Sequence, residues 1–486
     1  MDDANCDFSP RRSKLSAAIV LAGLAIAPGA QAQTPTDWPT FGWDAQRTGY
    51  NPFEKVLTTS NVPGLRAHWA TDLGGPILTQ PTVAAGVNVG GVSTDVVYAA
   101  TLQGSIFALN AHTGAIIWRR DFVPVQTSCD DFSASGGKVG FIDTPTIDRA
   151  HNRLFIVSGR GALHSFDLSN GADSMTPVQV PDAANFLNTF VYGSPTLVGT
   201  SLYIATASAC DSGRPYRGQV VRVSATDGSI LQRWFPTAAN VDGGGIWGAG
   251  GVSALADGTY VFVLTGNGFS TPENAGYAEH VVKLTTNLVV AQSDSPPTLQ
   301  AQDRDFGATA TLFQPIGCPP MLAAYQKTGY LYIYNRAAIS SGPMQTLILS
   351  QPSGDTIGQP AYDHNQLYIV APQDSPTNFN RRGLLALSVS NTCSLSIKWQ
   401  QPVGSTASFY NPAISPVVAN DVVYYADGIA SQVYAMDTKS GQILWSTDNI
   451  PSSDRVTGSI LTSPTVVNGQ LFVAGYGDHK LHAFGL

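Results

Sequence analysis

A short pattern recurs eight times along this chain and constrains its fold more than any other feature. Ala108-Leu109-Asn110-Ala111-His112-Thr113-Gly114 runs on to Trp118, and Ala435-Met436-Asp437-Thr438-Lys439-Ser440-Gly441 runs on to Trp445. Weaker copies lie between them: Ser165-Phe166-Asp167, Arg222-Val223-Ser224 with Gly228 and Trp234, Lys283-Leu284-Thr285, Ile333-Tyr334-Asn335, and Ala386-Leu387-Ser388 with Trp399. Ala483-Phe484-Gly485 is the eighth. The third residue of the pattern recurs every 48 to 61 positions, a period that points to a propeller or a solenoid.

The content of each unit decides between the two. Leu202-Tyr203-Ile204, Tyr330-Leu331-Tyr332-Ile333, Leu367-Tyr368-Ile369-Val370 and Val422-Val423-Tyr424-Tyr425 are short β-rich runs punctuated by Gly, Asp and Asn. No long stretch carries a 3.6-residue apolar period. The expected fold is therefore all-β: an eight-bladed propeller of four-stranded antiparallel blades. The eighth copy stops before any Gly-x-x-x-Trp strand, whereas Leu65-Arg66-Ala67-His68-Trp69 resembles such a strand with no copy before it. The N-terminal region is thus expected to supply the outer strand of the last blade, removing an open sheet edge. The recurring Trp69, Trp118, Trp234, Trp399 and Trp445 are expected at contacts between blades, where each buries a large apolar area. Strand starts of the Pro-Thr type also recur, at Pro81-Thr82, Pro145-Thr146, Pro195-Thr196 and Pro464-Thr465.

Arg11, Arg12 and Lys14 precede an apolar run from Leu15 to Ala27 and a small-residue site, Ala30-Gln31-Ala32. That layout predicts a secretory leader over residues 1–32, followed by a single domain over 33–486 in a periplasmic or secreted protein. No segment is long and apolar enough to predict a membrane span. A net charge of −8 with only 12% charged residues argues against nucleic acid as a partner. Past the leader, Cys129, Cys210, Cys318 and Cys393 remain, with no C-x-x-C or C-x-x-C-H spacing, so neither haem attachment nor a zinc ribbon is expected. Four cysteines allow three pairings; the repeat puts Cys129 and Cys210, and Cys318 and Cys393, in nearby blades, and these pairs are expected. His479 and His482 are expected at the surface of the final blade.

Other segments interrupt the repeat with residues that a bare scaffold does not need. Gly243-Gly244-Gly245-Ile246-Trp247 places a tryptophan outside the recurring position, and Thr265-Gly266-Asn267-Gly268 ends the strand-like run Tyr260-Val261-Phe262-Val263-Leu264. Asp303-Arg304-Asp305-Phe306-Gly307 and Lys327-Thr328-Gly329-Tyr330 follow. A flat aromatic beside an oxygen donor suits a flat polar cofactor and a hard cation.

The repeat resembles the tryptophan-docking repeat of the pyrroloquinoline quinone (PQQ) alcohol dehydrogenases and their eight-bladed relatives. The stretch from Trp38-Pro39-Thr40-Phe41-Gly42-Trp43 through Tyr50-Asn51-Pro52 is similar to the polyvinyl-alcohol dehydrogenase-like branch. The resemblance implies that Trp247 lies under the quinone and that Lys327 reaches its oxygens. It makes Asn267 a Ca²⁺ ligand and Asp305 both ligand and catalytic base, with Asp303 the other candidate. The family's third calcium ligand, a glutamate, falls in a segment matched by Ala209-Cys210-Asp211-Ser212-Gly213, which makes Asp211 the expected ligand. The implied substrate is an alcohol, small or polymeric, and the implied electron acceptor is an external carrier such as a cytochrome c. The chain departs from the family in having no two adjacent cysteines. The rival expectation is a cofactor-free propeller serving as a binding or assembly scaffold, which accounts for the repeat but not for the interrupting segments.

Overall fold

Runs rich in Val, Ile, Tyr and Phe, cut by Gly, Asn and Asp, fold into short strands joined by tight turns. The computed structural model describes residues 36–486 apart from 183–187, 211–214, 271, 298–302, 353–356, 377–379, 404–413 and 429. The expected leader and Asp211 lie outside the described residues. Pro35–Leu486 forms one compact unit. Its strands make eight four-stranded antiparallel sheets, the blades of a propeller, whose first strands start at Thr82, Thr146, Thr196, Ser253, Thr311, Ala361, Val417 and Thr465. Seven blades run through their four strands in chain order. The eighth takes Thr465–Val467, Gln470–Ala474 and Lys480–Gly485 from the C-terminus and its outer strand, Arg66–Asp72, from near the N-terminus, with Trp69 opposite Ala483. The ring closes as expected.

The repeat has a direct packing cause. The indole N–H of Trp69 donates to the carbonyl of Ala111 at 3.0 Å, that of Trp118 to Leu168 at 3.0 Å, that of Trp399 to Thr438 at 2.9 Å and that of Trp445 to Leu65 at 3.0 Å. Each of these bonds joins one blade to the next. The glycine of the repeat is the seat: a Cβ on Gly114 would come within 2.6 Å of the Trp69 ring, and one on Gly441 within 2.6 Å of Trp399. Tryptophan and glycine recur together because the indoles of Trp69, Trp118 and Trp399 each lie on the glycine turn of the next blade.

The recurring strand-start threonines form a second belt. Thr146 Oγ1 donates to the carbonyl of Pro195, Thr196 to Val252, Thr311 to Pro360 and Thr465 to Pro81, at 2.6 to 2.8 Å. Ser253 makes the same bond to Ala310. Each of these hydroxyls reaches the residue just before its counterpart in the following blade, so five of the eight junctions between innermost strands are joined hydroxyl to carbonyl.

The segment Trp38–Asn51 binds all eight blades. Trp38 pairs with Val83 through two backbone hydrogen bonds, and the N–H groups of Ile147, Ala254, Leu312, Tyr362 and Val418 donate to Pro39, Ala45, Gln46, Thr48 and Gly49 at 2.7 to 3.0 Å. Those five residues hold the same place in their blades, the second position of the innermost strand. Tyr50–Asn51 adds a short parallel strand to the seventh blade, and Asn51 Nδ2 donates to the carbonyl of Val466 in the eighth. The third blade is held by Arg47 instead. Its guanidinium is fully buried and donates to Thr40 Oγ1 and Phe41 O within the segment, and to Ser194 O and Thr196 Oγ1 in the blade, at 2.6 to 3.2 Å.

Cys129 pairs with Cys210 and Cys318 with Cys393, with Cα atoms 5.7 and 5.5 Å apart, the two bonds expected from the repeat. His482 corrects the sequence reading. It is 3% exposed and bonded to Asp478 Oδ2 at 2.9 Å, and His479 is half-buried. The strand that carries His482 has sheet on both sides and a neighbouring blade against each face, so both of its faces are interior. No helix among the described residues is long and apolar enough to cross a membrane.

Candidate functional site

Antiparallel strands alternate in direction, so two kinds of connection meet at one end of every blade: the turn from second to third strand, and the link from one blade to the next. Trp247 lies on the link into the fourth blade and Asn267 on that blade's turn after Tyr260–Leu264. Asp303 and Asp305 lie on the link into the fifth blade, and Lys327 on its turn between Met321–Tyr325 and Tyr330–Asn335. Four segments of two adjacent blades therefore reach the same end of the ring.

Backbone bonds then draw them together. Gly244 N–H donates to Asn267 O, and Gly266 N–H to Gly245 O, each at 2.7 Å. Gly243 and Gly244 have φ of +100° and +67°, and Gly266 has no room for a side chain, since a Cβ there would come within 2.4 Å of Asp305 Oδ1. The glycines noted in the sequence are the close approach itself.

Asp305, 3% exposed, is the centre of the arrangement. Its Oδ1 accepts from the backbone N–H of Asn267, and its Oδ2 from Lys327 Nζ at 2.9 Å. Lys327 also reaches Asp303 at 3.2 Å, and Asn267 Nδ2 donates to Asp303 at 3.2 Å. Lys327 Nζ stands 4.8 Å from the centroid of the Trp247 ring. Burial would lower the Lys327 pKa, but the charges of Asp305 and Asp303 together outweigh it and hold the amine above its ordinary value, hence protonated at neutral pH. Trp247, Asn267, Asp305 and Lys327 thus meet in one cluster. Asp211 lies outside the described residues, although its neighbour Cys210 is bonded to Cys129 at the same end of the ring. Asp131, beside that disulfide, is raised by burial and pulled back by the charge of Lys327.

Three groups supporting the cluster were not read from the sequence. Arg304, between the two aspartates, forms an ion pair with Glu279 at 2.8 Å, and Gln326 Nε2 donates to the carbonyl of Arg304 at 2.8 Å. Glu279 is 1% exposed, and its N–H donates to Gly266 O at 3.0 Å. Burial lifts its carboxyl to about 7 against the pull of Arg304. A carboxyl raised on folding binds its proton more tightly in the folded state. Its contribution is therefore full below pH 4.5, the ordinary value, and is lost as the pH rises to about 7. Glu279→Gln, neutral throughout, should remove that share of the slope. The difference in melting temperature between variant and wild type is expected to change across this window; a constant difference would contradict the assignment.

The donors present fit a hard cation. Asn267 Oδ1 is buried and has no hydrogen-bond partner among the described residues, and two carboxylates flank the same side chain. The Trp247 face and a protonated Lys327 beside it fit a planar, acidic ring system. Cys129, Asp131 and Cys210 also lie close together, but the disulfide leaves no thiolate there for a metal.

Comparison with known proteins bears on the propeller rather than on the cluster. Residues 38–176 match the family described as glucose/ethanol/alcohol dehydrogenase, beta-propeller domain. Residues 336–485 match outer membrane protein assembly factor BamB, and neither matched stretch includes Trp247, Asn267, Asp305 or Lys327. The chain is 21% identical to a polyvinylalcohol dehydrogenase of Pseudomonas sp, over 94% of this chain and 76% of that protein. Among solved structures, quinohemoprotein alcohol dehydrogenase from Comamonas testosteroni superposes with a TM-score of 0.67 at 15% identity, covering 94% of this chain and 81% of the other. BamB from Moraxella catarrhalis gives 0.55 at 14% identity, covering 87% and 100%. At these identities the structural likenesses speak for the fold alone.

Proposed function

We propose that this PQQ-family propeller is an alcohol dehydrogenase-like oxidoreductase that works with PQQ and Ca²⁺. The observation that carries the proposal is the meeting of Trp247, Asn267, Asp305 and Lys327 around a buried, unpartnered amide oxygen. A ring built only to assemble partners has no need of it.

In this reading Asn267 Oδ1 and Asp305 hold Ca²⁺, with Asp211 as a further ligand. PQQ, when bound, supplies the electron acceptor for oxidation of the alcohol carbon. Asp305 accepts the hydroxyl proton, a role worth about 10²–10⁴ in rate. Its position is fixed by the Asn267 N–H and by Lys327, so the carboxylate is oriented before substrate arrives. Lys327 neutralises charge on the acceptor's oxygens, and Trp247 sets the plane on which a flat ring rests. The substrate is an alcohol, small or polymeric. With no haem-attachment motif in the chain, electrons pass to an external carrier such as a cytochrome c. Two disulfides support an oxidising compartment, periplasmic or extracellular.

Calorimetric titration of the purified protein with PQQ in the presence of Ca²⁺ tests the cofactor assignment. Trp247→Ala is expected to weaken retention at least about tenfold, the scale of a lost aromatic face. Equal affinity in wild type and variant would remove Trp247 from the site. No binding to the wild type would favour the scaffold reading.

A further inference from the structure

The other end of the ring carries a cleft that the proposed chemistry does not use. It encloses about 380 Å³ and is lined by Thr36, Asp37, Pro39, Trp43, Phe53, Ala85 and Arg149. Arg149 begins the turn between the first and second strands of its blade, which places the cleft opposite the Asp305 cluster. Its volume lies within the range of small-ligand sites.

The lining selects a class of ligand. Arg149 Nε lies 3.2 Å from Asp37 Oδ2, Arg149 Nη2 donates to Ala85 O at 2.7 Å, and Asp37 Oδ1 accepts from Ala85 N at 2.8 Å. The two charges neutralise each other, so the cleft offers no net charge to attract an ion. What remains are hydrogen-bonding edges beside two aromatic rings, Trp43 and Phe53, whose centroids are 5.9 Å apart. Phe53 is 53% exposed, so its ring borders the cleft beside Trp43 and is open to a ligand. Trp43 has φ of +73°, a conformation that costs a bulky residue energy and that glycine or asparagine would take more readily. Trp43 packs partly against the core and also borders the cleft. Rings that accept C–H faces, next to groups that exchange hydrogen bonds with hydroxyls, match a neutral chain with hydroxyls along an aliphatic backbone.

We propose that the Trp43–Phe53 cleft binds a neutral polyhydroxylated chain, anchoring it at the end of the propeller away from the Asp305 cluster. Such chemistry is shared by oligosaccharides and by poly(vinyl alcohol). The test is calorimetric titration of the purified protein, without PQQ or Ca²⁺, against four probes: maltohexaose, short-chain poly(vinyl alcohol), polyethylene glycol and polyacrylate. Either hydroxylated chain should bind, and the two arms show which source is preferred. Phe53→Ala is expected to weaken that binding about tenfold, and Trp43→Ala by more. Phe53 is a surface side chain, so its variant keeps the fold if Trp43→Ala does not. Both variants should leave cofactor binding at the other end unchanged, which separates this proposal from the assignment of the Asp305 cluster. Equal binding of polyethylene glycol would overturn the role of the hydroxyls, and competition by polyacrylate would overturn the neutral class. Absence of binding by both hydroxylated chains, or binding indifferent to Phe53→Ala, would overturn the site.

Discussion

Asp305→Asn is expected to abolish PQQ-dependent alcohol oxidation while the propeller stays folded. The amide cannot take the hydroxyl proton, and loss of a positioned base costs about 10²–10⁴ in rate. It also leaves one of two donors, Lys327 Nζ or the Asn267 N–H, facing an amide N–H in place of a carboxylate oxygen. The variant should therefore lose affinity for Ca²⁺ as well as turnover. The stability cost is smaller, about 1–3 kcal/mol for one buried charge-assisted hydrogen bond. Turnover and Ca²⁺ affinity measured on variant and wild type, with circular dichroism as the check on fold, decide the matter. Turnover within about threefold of wild type would assign the base elsewhere, and Asp303, 3.2 Å from the same amine, would be next.

The second large effect belongs to Arg47, far from any chemistry. Its buried guanidinium makes four hydrogen bonds and joins the N-terminal segment to the third blade. Burial lowers its pKa to about 9, so the charge is held at a cost that those bonds offset. Arg47→Ala removes the donors and leaves Ser194 O and Thr196 Oγ1 facing a void. The expected loss is about 3–5 kcal/mol in denaturant unfolding, the scale for removing one partner of a buried charged network. Arg47→Lys should not restore it, because a single ammonium cannot reach both the segment and the blade as a forked guanidinium does. A loss below about 1 kcal/mol would show that the bonds to the other seven blades hold the segment unaided.

The blades were legible in the sequence because what makes them is local. Trp69, Trp118 and Trp399 each sit on a glycine of the next turn, so the two recur together and the period can be counted. Closure by Arg66–Asp72 was legible for the same reason, as a strand with no unit of its own. The Pro-Thr starts were visible, but their purpose was not, because the hydroxyl belt joins residues some fifty positions apart. The segment Trp38–Asn51 was recognisable by likeness, yet nothing in its composition says that it binds every blade. In the candidate cluster, Trp247, Asn267, Asp305 and Lys327 stood out as breaks in the repeat. Glu279 and Arg304 did not, since a buried ion pair leaves no periodic trace. His482 was misread because a histidine two residues from an exposed lysine suggests a surface, while the blade buries both faces of the strand at His482.

The central claim is that the cluster around Asp305 oxidises alcohols with PQQ and Ca²⁺. The most direct test is the rate at which the purified protein reduces an artificial electron-acceptor dye when given an alcohol, with PQQ and Ca²⁺ added separately and together. Short alcohols and poly(vinyl alcohol) should both be offered as substrates. Dye reduction is expected only when both additions are present, and it should fall away on chelation of the metal. A protein that reduces no dye with any of these substrates, and whose melting temperature neither addition moves, would contradict the claim.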